Sequence, residues 1–173
     1  MYLLLNTIVA VLLIVLIYQD FTQRAVSWLL LFLLIPCQFG LTYLTIGVEE
    51  LLFNLGINAM LLVFQFLLLT VYFSLRSRGL TNIVNKFIGI GDLFFFIFLS
   101  MAFSPFNFIL FFILSLLLIL IFYAVAMRGR LKQYKIPLLG NMSIIYLIVL
   151  TFEYLSSSGF DRFDDTLAVH LFL

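Results

Sequence analysis

Long apolar runs separated by short polar segments make up most of this chain. A helix needs about 20 mainly apolar residues to cross the ~30 Å hydrocarbon core of a bilayer, and it satisfies its own backbone hydrogen bonds there. The sequence therefore predicts an all-α polytopic membrane protein with about six transmembrane helices in residues 1–155 and a tail at 156–173. The predicted spans are 1–18, 26–47, 51–75, 87–104, 106–127 and 138–155.

The composition excludes a sizeable water-soluble domain. Of the 173 residues, 65% are hydrophobic and 10% are charged, against about 45–50% apolar and about 25% charged in soluble domains. The net charge of +1 provides no clustered basic face, so we expect the lipid bilayer and not nucleic acid as a partner. Cys37 is the single cysteine, which excludes an internal disulfide and a Cys-x-x-Cys metal site. We expect no metal and no cofactor.

The positions of Lys and Arg predict the orientation, because cytoplasmic loops retain basic residues. Eight of the nine basic residues lie in three segments, which follow the first, third and fifth predicted spans. The ninth, Arg162, lies in the tail beside three aspartates, and the segments after spans two and four have none. The pattern predicts that both termini lie outside and that the protein is a multi-pass protein of the inner (cytoplasmic) membrane.

Most of the other ionisable residues have structural interpretations. Glu49 and Glu50 fall where the third span begins, and a helix N-terminus favours acidic side chains. We expect Glu153, near the outer end of the sixth span, and His170, near the C-terminus, to be interfacial or solvated. The acidic tail is likewise expected to be solvated.

Asp20 and Asp92 do not fit that pattern. Asp20 follows the first apolar run directly, and Asp92 lies inside the apolar start of the fourth run. A charged carboxylate within a span costs about 2.5–3.5 kcal/mol on insertion scales, and such residues usually face a cavity or a partner. The predicted topology places both carboxylates at a similar shallow depth below the cytoplasmic surface. Taken alone, Asp20 could equally be an ordinary polar residue at a helix end, and Asp92 a helix-packing or proton-relay group.

A pair of carboxylates can perform both proton transfers that peptide hydrolysis requires. One accepts a proton from water while the other donates one to the carbonyl or the leaving amine. Like charge disfavours double ionisation, so a close pair retains one proton. Gly89 and Gly91, just before Asp92, would leave space for an extended substrate backbone and water. Both glycines could also serve as small residues at a helix contact.

These residues resemble a known family. Gly89-Ile90-Gly91-Asp92 matches the Gly-x-Gly-Asp motif of membrane aspartyl proteases, and the segment around Asp20, with Arg24 and Val26 after it, resembles the first-aspartate segment of prepilin and preflagellin peptidases. Ile136-Pro137, after the fifth span, resembles that family's Ile-Pro segment. The resemblance implies that Asp20 and Asp92 are a catalytic pair supported by Gly89 and Gly91. It also implies removal of leader peptides from type IV pilin-like precursors, each with a hydrophobic helix, at the cytoplasmic membrane face.

The chain departs from this family at two points. Many members have Lys two residues after the second aspartate, where this chain has Phe94. The full-length bacterial members also carry a cysteine-rich insert and methylate the new N-terminus, so this chain resembles a minimal, peptidase-only form. The alternative is an inactive homologue. A small proton-coupled transporter or assembly factor that uses the aspartates for ion binding is also possible on the sequence alone.

Overall fold

The computed structural model describes residues 1–77, 89–126, 136–155 and 161–165, and these form five α-helices with no strand among them. The helices are α1 (Tyr2–Gln23), α2 (Trp28–Ser77), α3 (Ile90–Ala102), α4 (Pro105–Ala126) and α5 (Leu138–Leu155). Four of them, all except α3, are long and apolar enough to cross a membrane. The prediction of an all-helical chain with membrane-spanning helices is confirmed at this level.

The second and third predicted spans are joined in the single long element α2, which consists of two helices merged across a kink at Gly47. Gly47 has φ 81° and ψ 175°, a conformation that glycine adopts without steric cost. Before the kink, Leu31 lies near Gly91 and Thr42 bonds Met101, so this part runs parallel to α3. After the kink, residues further along α2 contact residues further back along α3.

Beyond the kink, Asn58 bonds to the carbonyls of Ser100 and Phe103, and Phe66 packs further back along α3 against Phe96. The second part of α2 is therefore antiparallel to α3. The chain reverses direction at Gly47, at the end of the bundle where α3 finishes. This reversal agrees with the polar segment predicted between the second and third spans.

Helix α3 is the central helix of the bundle and is shorter than the predicted fourth span. It begins at Ile90, after the extended residue Gly89, and it has 13 residues. It ends before Phe103, which is extended, and Pro105 opens α4 directly afterwards. Proline disfavours a helical conformation in the residue before it and is well suited to a first helical position, which separates the two helices.

The interior of the bundle is aromatic. Tyr146 of α5 contacts Phe98, Phe103 and Phe111 edge to face, with ring centroids 5.3, 5.5 and 6.2 Å apart. All four side chains are buried. Most of the large apolar side chains of α2 and α4 point outward instead, as expected for helices that contact lipid.

The expectation of a solvated tail is wrong for Arg162 and Phe163, whereas Asp161 and Asp164 are exposed. Arg162 is 0% exposed and Phe163 is buried, so this part of the tail packs against the bundle and is not solvated. The side chain of Glu153 is only 16% exposed, and its Oε2 lies 3.2 Å from Nε of Arg162. A buried guanidinium needs a partner, and Glu153 supplies it. His170 lies outside the described residues.

Candidate functional site

The structure brings the two predicted aspartates together at one end of the bundle. Asp20 lies in the last turns of α1 and is 8% exposed. Asp92 is the third residue of α3 and is half-buried. The N–H of Gly140 in α5 binds Asp20, and the side chain of the neighbouring Leu139 lies beside Gly91, one position before Asp92. Two residues far apart in the sequence thus both lie at the first turn of α5.

Asp20 is held by the first turn of α5. Its Oδ2 accepts a hydrogen bond of 2.6 Å from the backbone N–H of Gly140, the third residue of that helix. The first four N–H groups of a helix have no partner inside the helix, so this N–H is free to bind a group on another element. The carboxylate of Asp20 thereby caps the N-terminus of α5.

Asp92 is held in a similar way by its own helix. Its Oδ2 accepts a hydrogen bond of 3.1 Å from the backbone N–H of Gly89, the residue that precedes α3. A residue at the third helical position that bonds back to the capping residue forms half of a capping box. Each aspartate therefore has one carboxylate oxygen fixed by a glycine N–H at the start of a helix.

The helix termini also offset the repulsion between the two carboxylates. The N-terminal end of a helix carries partial positive charge, and an anion beside it gains typically about 0.3–1 kcal/mol, and up to ~2 kcal/mol when partly buried. The N-termini of α3 and α5 both lie at this pair. Both glycine N–H groups bond to Oδ2 of their aspartate, and within the described ranges Oδ1 of each carboxylate has no recorded hydrogen bond.

Gly89 and Gly91 have different surroundings. A Cβ atom placed on Gly89 would lie 3.3 Å from Oδ2 of Asp92, so a side chain there would crowd the carboxylate. A Cβ atom on Gly91 would lie 3.9 Å from both Leu31 and Leu139, which is ordinary contact. Gly91 is thus at a meeting point of α2, α3 and α5.

Sequence reasoning missed Gly140. A Cβ atom on this residue would lie 2.8 Å from Cε2 of Phe21 and 3.1 Å from Oδ2 of Asp20, so only glycine fits without movement of its neighbours. The Ile136-Pro137 segment contained the available signal, since a proline before an apolar run predicts a helix start with free N–H groups.

A second polar cluster lies at the opposite end of the bundle. Arg162 donates from Nη1 to the Tyr146 hydroxyl at 2.6 Å, and Tyr146 donates to Oε1 of Gln38 at 3.2 Å. Ser104 and Asn107, at the start of α4, both donate to the backbone carbonyl of Arg162. No sequence pattern identified this cluster, because its members come from three helices and the tail.

Comparison with protein-family models, with curated proteins and with solved structures finds no match for this chain. The functional interpretation therefore depends on the residues of the chain itself. Among the residues with described positions, no group of three or more His, Cys, Asp or Glu side chains could hold a metal ion. A pair of carboxyl groups can accept and donate protons.

Proposed function

We propose that this protein is a membrane-embedded aspartic endopeptidase of the prepilin-peptidase type that removes leader peptides from type IV pilin-like precursors. One observation carries the proposal: in an apolar bundle, the first turn of α5 meets both aspartate segments, with the N–H of Gly140 bonded to Asp20 and Leu139 beside Gly91, the residue before Asp92. Buried like charges are costly. Their convergence is better explained by a shared chemical task than by two independent helix caps.

The reaction requires one ionised and one protonated carboxyl group. The ionised group takes a proton from a water molecule as the water oxygen bonds to the scissile carbonyl carbon. The protonated group donates its proton to the carbonyl oxygen, which gives a tetrahedral intermediate. When the intermediate collapses, one of its hydroxyl groups returns a proton to the pair, the C–N bond breaks and the leaving nitrogen takes a proton from the pair. The products are a carboxyl group and an amine, and the pair returns to one proton.

The proposed topology has six spans with both termini outside and the aspartate pair near the cytoplasmic face. Two observations support it: the reversal at Gly47, which divides α2 into two helices, and the position of Arg24 directly after α1 at the aspartate end. Helix α3 is short for a span, but it is enclosed by other helices. Backbone ends at membrane depth are tolerated where protein surrounds them.

An inactive homologue is the second candidate, and one observation favours it. The hydrogen bonds from Gly140 to Asp20 and from Gly89 to Asp92 are those that two purely structural caps would make. In that case the carboxylates would stabilise helix ends, and loss of either charge would change stability and not cleavage.

The test is cleavage of a candidate pilin-like precursor in membranes that contain the wild type or a variant. Asp20→Asn and Asp92→Asn each keep a side-chain oxygen that can accept the glycine N–H, but neither can take a proton. We expect each to abolish leader removal while the protein remains inserted and abundant. The double variant should be little worse than either single one, because residues that act as a unit are not additive.

Glu50→Gln is the matched control, since Glu50 is exposed and lies beyond the kink of α2. It should cleave at the wild-type rate. Near wild-type cleavage by either single Asn variant would refute the aspartyl-protease mechanism. Absence of cleavage by the wild type, against precursors encoded by neighbouring genes, would favour the inactive homologue.

A further inference from the structure

The first turn of α5 contacts both helices that carry the aspartates. The N–H of Gly140 binds Asp20 of α1. The side chain of the preceding residue, Leu139, lies beside Gly91 of α3, one position before Asp92. Leu139 is buried, and Leu31 of α2 lies at the same glycine. Two consecutive residues of α5 thus connect the two halves of the site.

We propose that Gly140 is a positioning residue of the aspartate pair and that the Leu139–Gly140 turn sets the distance between Asp20 and Asp92. This inference builds on the proposed function, since the pair must be correctly spaced to share one reacting centre. Gly140 acts through Asp20: its N–H fixes Oδ2, and this leaves Oδ1 free for proton transfer. It does not need to touch the substrate.

The positioning role of Gly140 also requires that position 140 has no side chain. A Cβ atom there would be 2.8 and 3.0 Å from two carbons of the Phe21 ring and 3.1 Å from Oδ2 of Asp20. Phe21 follows Asp20 in α1, so a methyl group at position 140 would crowd two consecutive residues of that helix, including the carboxylate itself. Alanine is a better helix former than glycine by about 1 kcal/mol. A loss of function in Gly140→Ala therefore cannot come from helix propensity.

The hydrogen bond can be tested without any substrate. The chain has nine glycines, so protein labelled with ¹⁵N-glycine gives few amide signals, and Gly140→Ala identifies the one from Gly140. A short bond to a charged acceptor should place this amide proton at low field. Asp20→Ala should move the signal to higher field, whereas Asp20→Asn should move it less because an acceptor remains.

The Gly89 amide is the internal control for that experiment. Its partner is Asp92, so Asp92→Ala should move the Gly89 signal and leave the Gly140 signal nearly unchanged. If the Gly140 signal is insensitive to Asp20→Ala, the positioning role is refuted. This readout stands even if no precursor is cleaved, in which case only the proposed function fails.

Cleavage measurements test the positioning role directly. A misplacement of about 1 Å can cost on the order of 100-fold in rate, so we expect Gly140→Ala to slow leader removal at least about tenfold. Gly56→Ala is the matched control, because a Cβ atom on that helical glycine would meet nothing within 4 Å. It should cleave normally.

Rescue distinguishes positioning from general damage to the fold. Phe21 is 44% exposed, so Phe21→Ala should be tolerated, and it removes the ring that crowds position 140. We expect the double variant Phe21→Ala, Gly140→Ala to cleave faster than Gly140→Ala alone. Wild-type cleavage by Gly140→Ala, or a double variant no faster than Gly140→Ala, would overturn the inference.

Discussion

The hydrogen bond between Oδ2 of Asp20 and the N–H of Gly140 joins residues that are 120 positions apart in the sequence. Asp20 lies near the C-terminal end of α1, where the helix dipole disfavours a negative charge. The N-terminus of α5 supplies the opposite field at the same place. The antiparallel packing of α1 and α5 thus makes an unfavourable position for a carboxylate acceptable.

The proximity of the aspartates can be measured by cross-linking. In a Cys37→Ser background, Asp20→Cys and Asp92→Cys should be joined by a short bifunctional reagent, because both aspartate segments meet the first turn of α5. The control pair is Asp20→Cys with Ile97→Cys, which is more than one helical turn further along α3 and faces outward. Equal linking of both pairs, or none in the first, would contradict the shared site.

The topology can be measured by labelling single cysteines in the same background. Gln23→Cys and Arg78→Cys should react only from the cytoplasmic side, and Val48→Cys and Asp161→Cys only from outside. The distribution of Lys and Arg motivates this expectation. Val48 is a better site than Gly47, whose positive φ disfavours any side chain. Labelling of positions 48 and 78 from one side would refute the six-span arrangement.

The sequence predicted an all-helical chain with membrane-spanning helices because apolar length alone defines a helix in lipid, and the number of six spans stays a prediction. It predicted Asp20 and Asp92 as special because charge is rare in such runs. It could not predict which helix N-terminus meets Asp20, since that depends on how α1 and α5 pack. Gly140 therefore escaped notice, although the proline that precedes its helix was recognised.

The tail shows a second limit of sequence reasoning. Three aspartates and one arginine in a short segment are typical of solvated chain, yet Arg162 is fully buried. The difference arises because Glu153, Tyr146 and Asn107 supply partners from two helices. A polar tail can enter an apolar bundle when the bundle provides such groups, and their convergence is a tertiary property.

The ion pair between Arg162 and Glu153 should be important for stability. Removal of one partner of a buried pair costs about 3–5 kcal/mol, because the remaining charge is left uncompensated. Arg162 is 0% exposed and Glu153 is 16% exposed. Glu153→Gln leaves the more deeply buried guanidinium without its charged partner, so it should destabilise the protein more than Arg162→Met does. The free energy of unfolding in mixed detergent micelles measures both.

The double variant Glu153→Gln, Arg162→Met tests whether the two side chains are coupled. It should be destabilised by less than the sum of the single variants, because neither unpaired charge remains. Asp161→Asn, at an exposed position of the same segment, is the control and should change little. Wild-type stability of Glu153→Gln would mean that the pair does not hold the tail.

The anchoring of α3 leads to the last prediction. Asn58 is fully buried, and its Nδ2 donates to the carbonyls of Ser100 and Phe103 at 2.9 and 3.0 Å. These carbonyls lie at the C-terminal end of α3, where helices have unsatisfied acceptors. Asn58→Ala should leave both carbonyls without this donor. Each buried unsatisfied group should lower the free energy of unfolding by about 1–3 kcal/mol.

Asn54, one turn earlier on the same face of α2, provides the matched control. It is also buried, but its Nδ2 has no hydrogen-bond partner within the described part of the chain. Asn54→Ala should therefore cost less in unfolding free energy than Asn58→Ala, by at least about 1 kcal/mol. Since α3 carries Asp92, Asn58→Ala should also slow leader removal more than Asn54→Ala does. Equal losses in the two variants would show that these bonds do not anchor α3, and the position of Asp92 would then depend on packing alone.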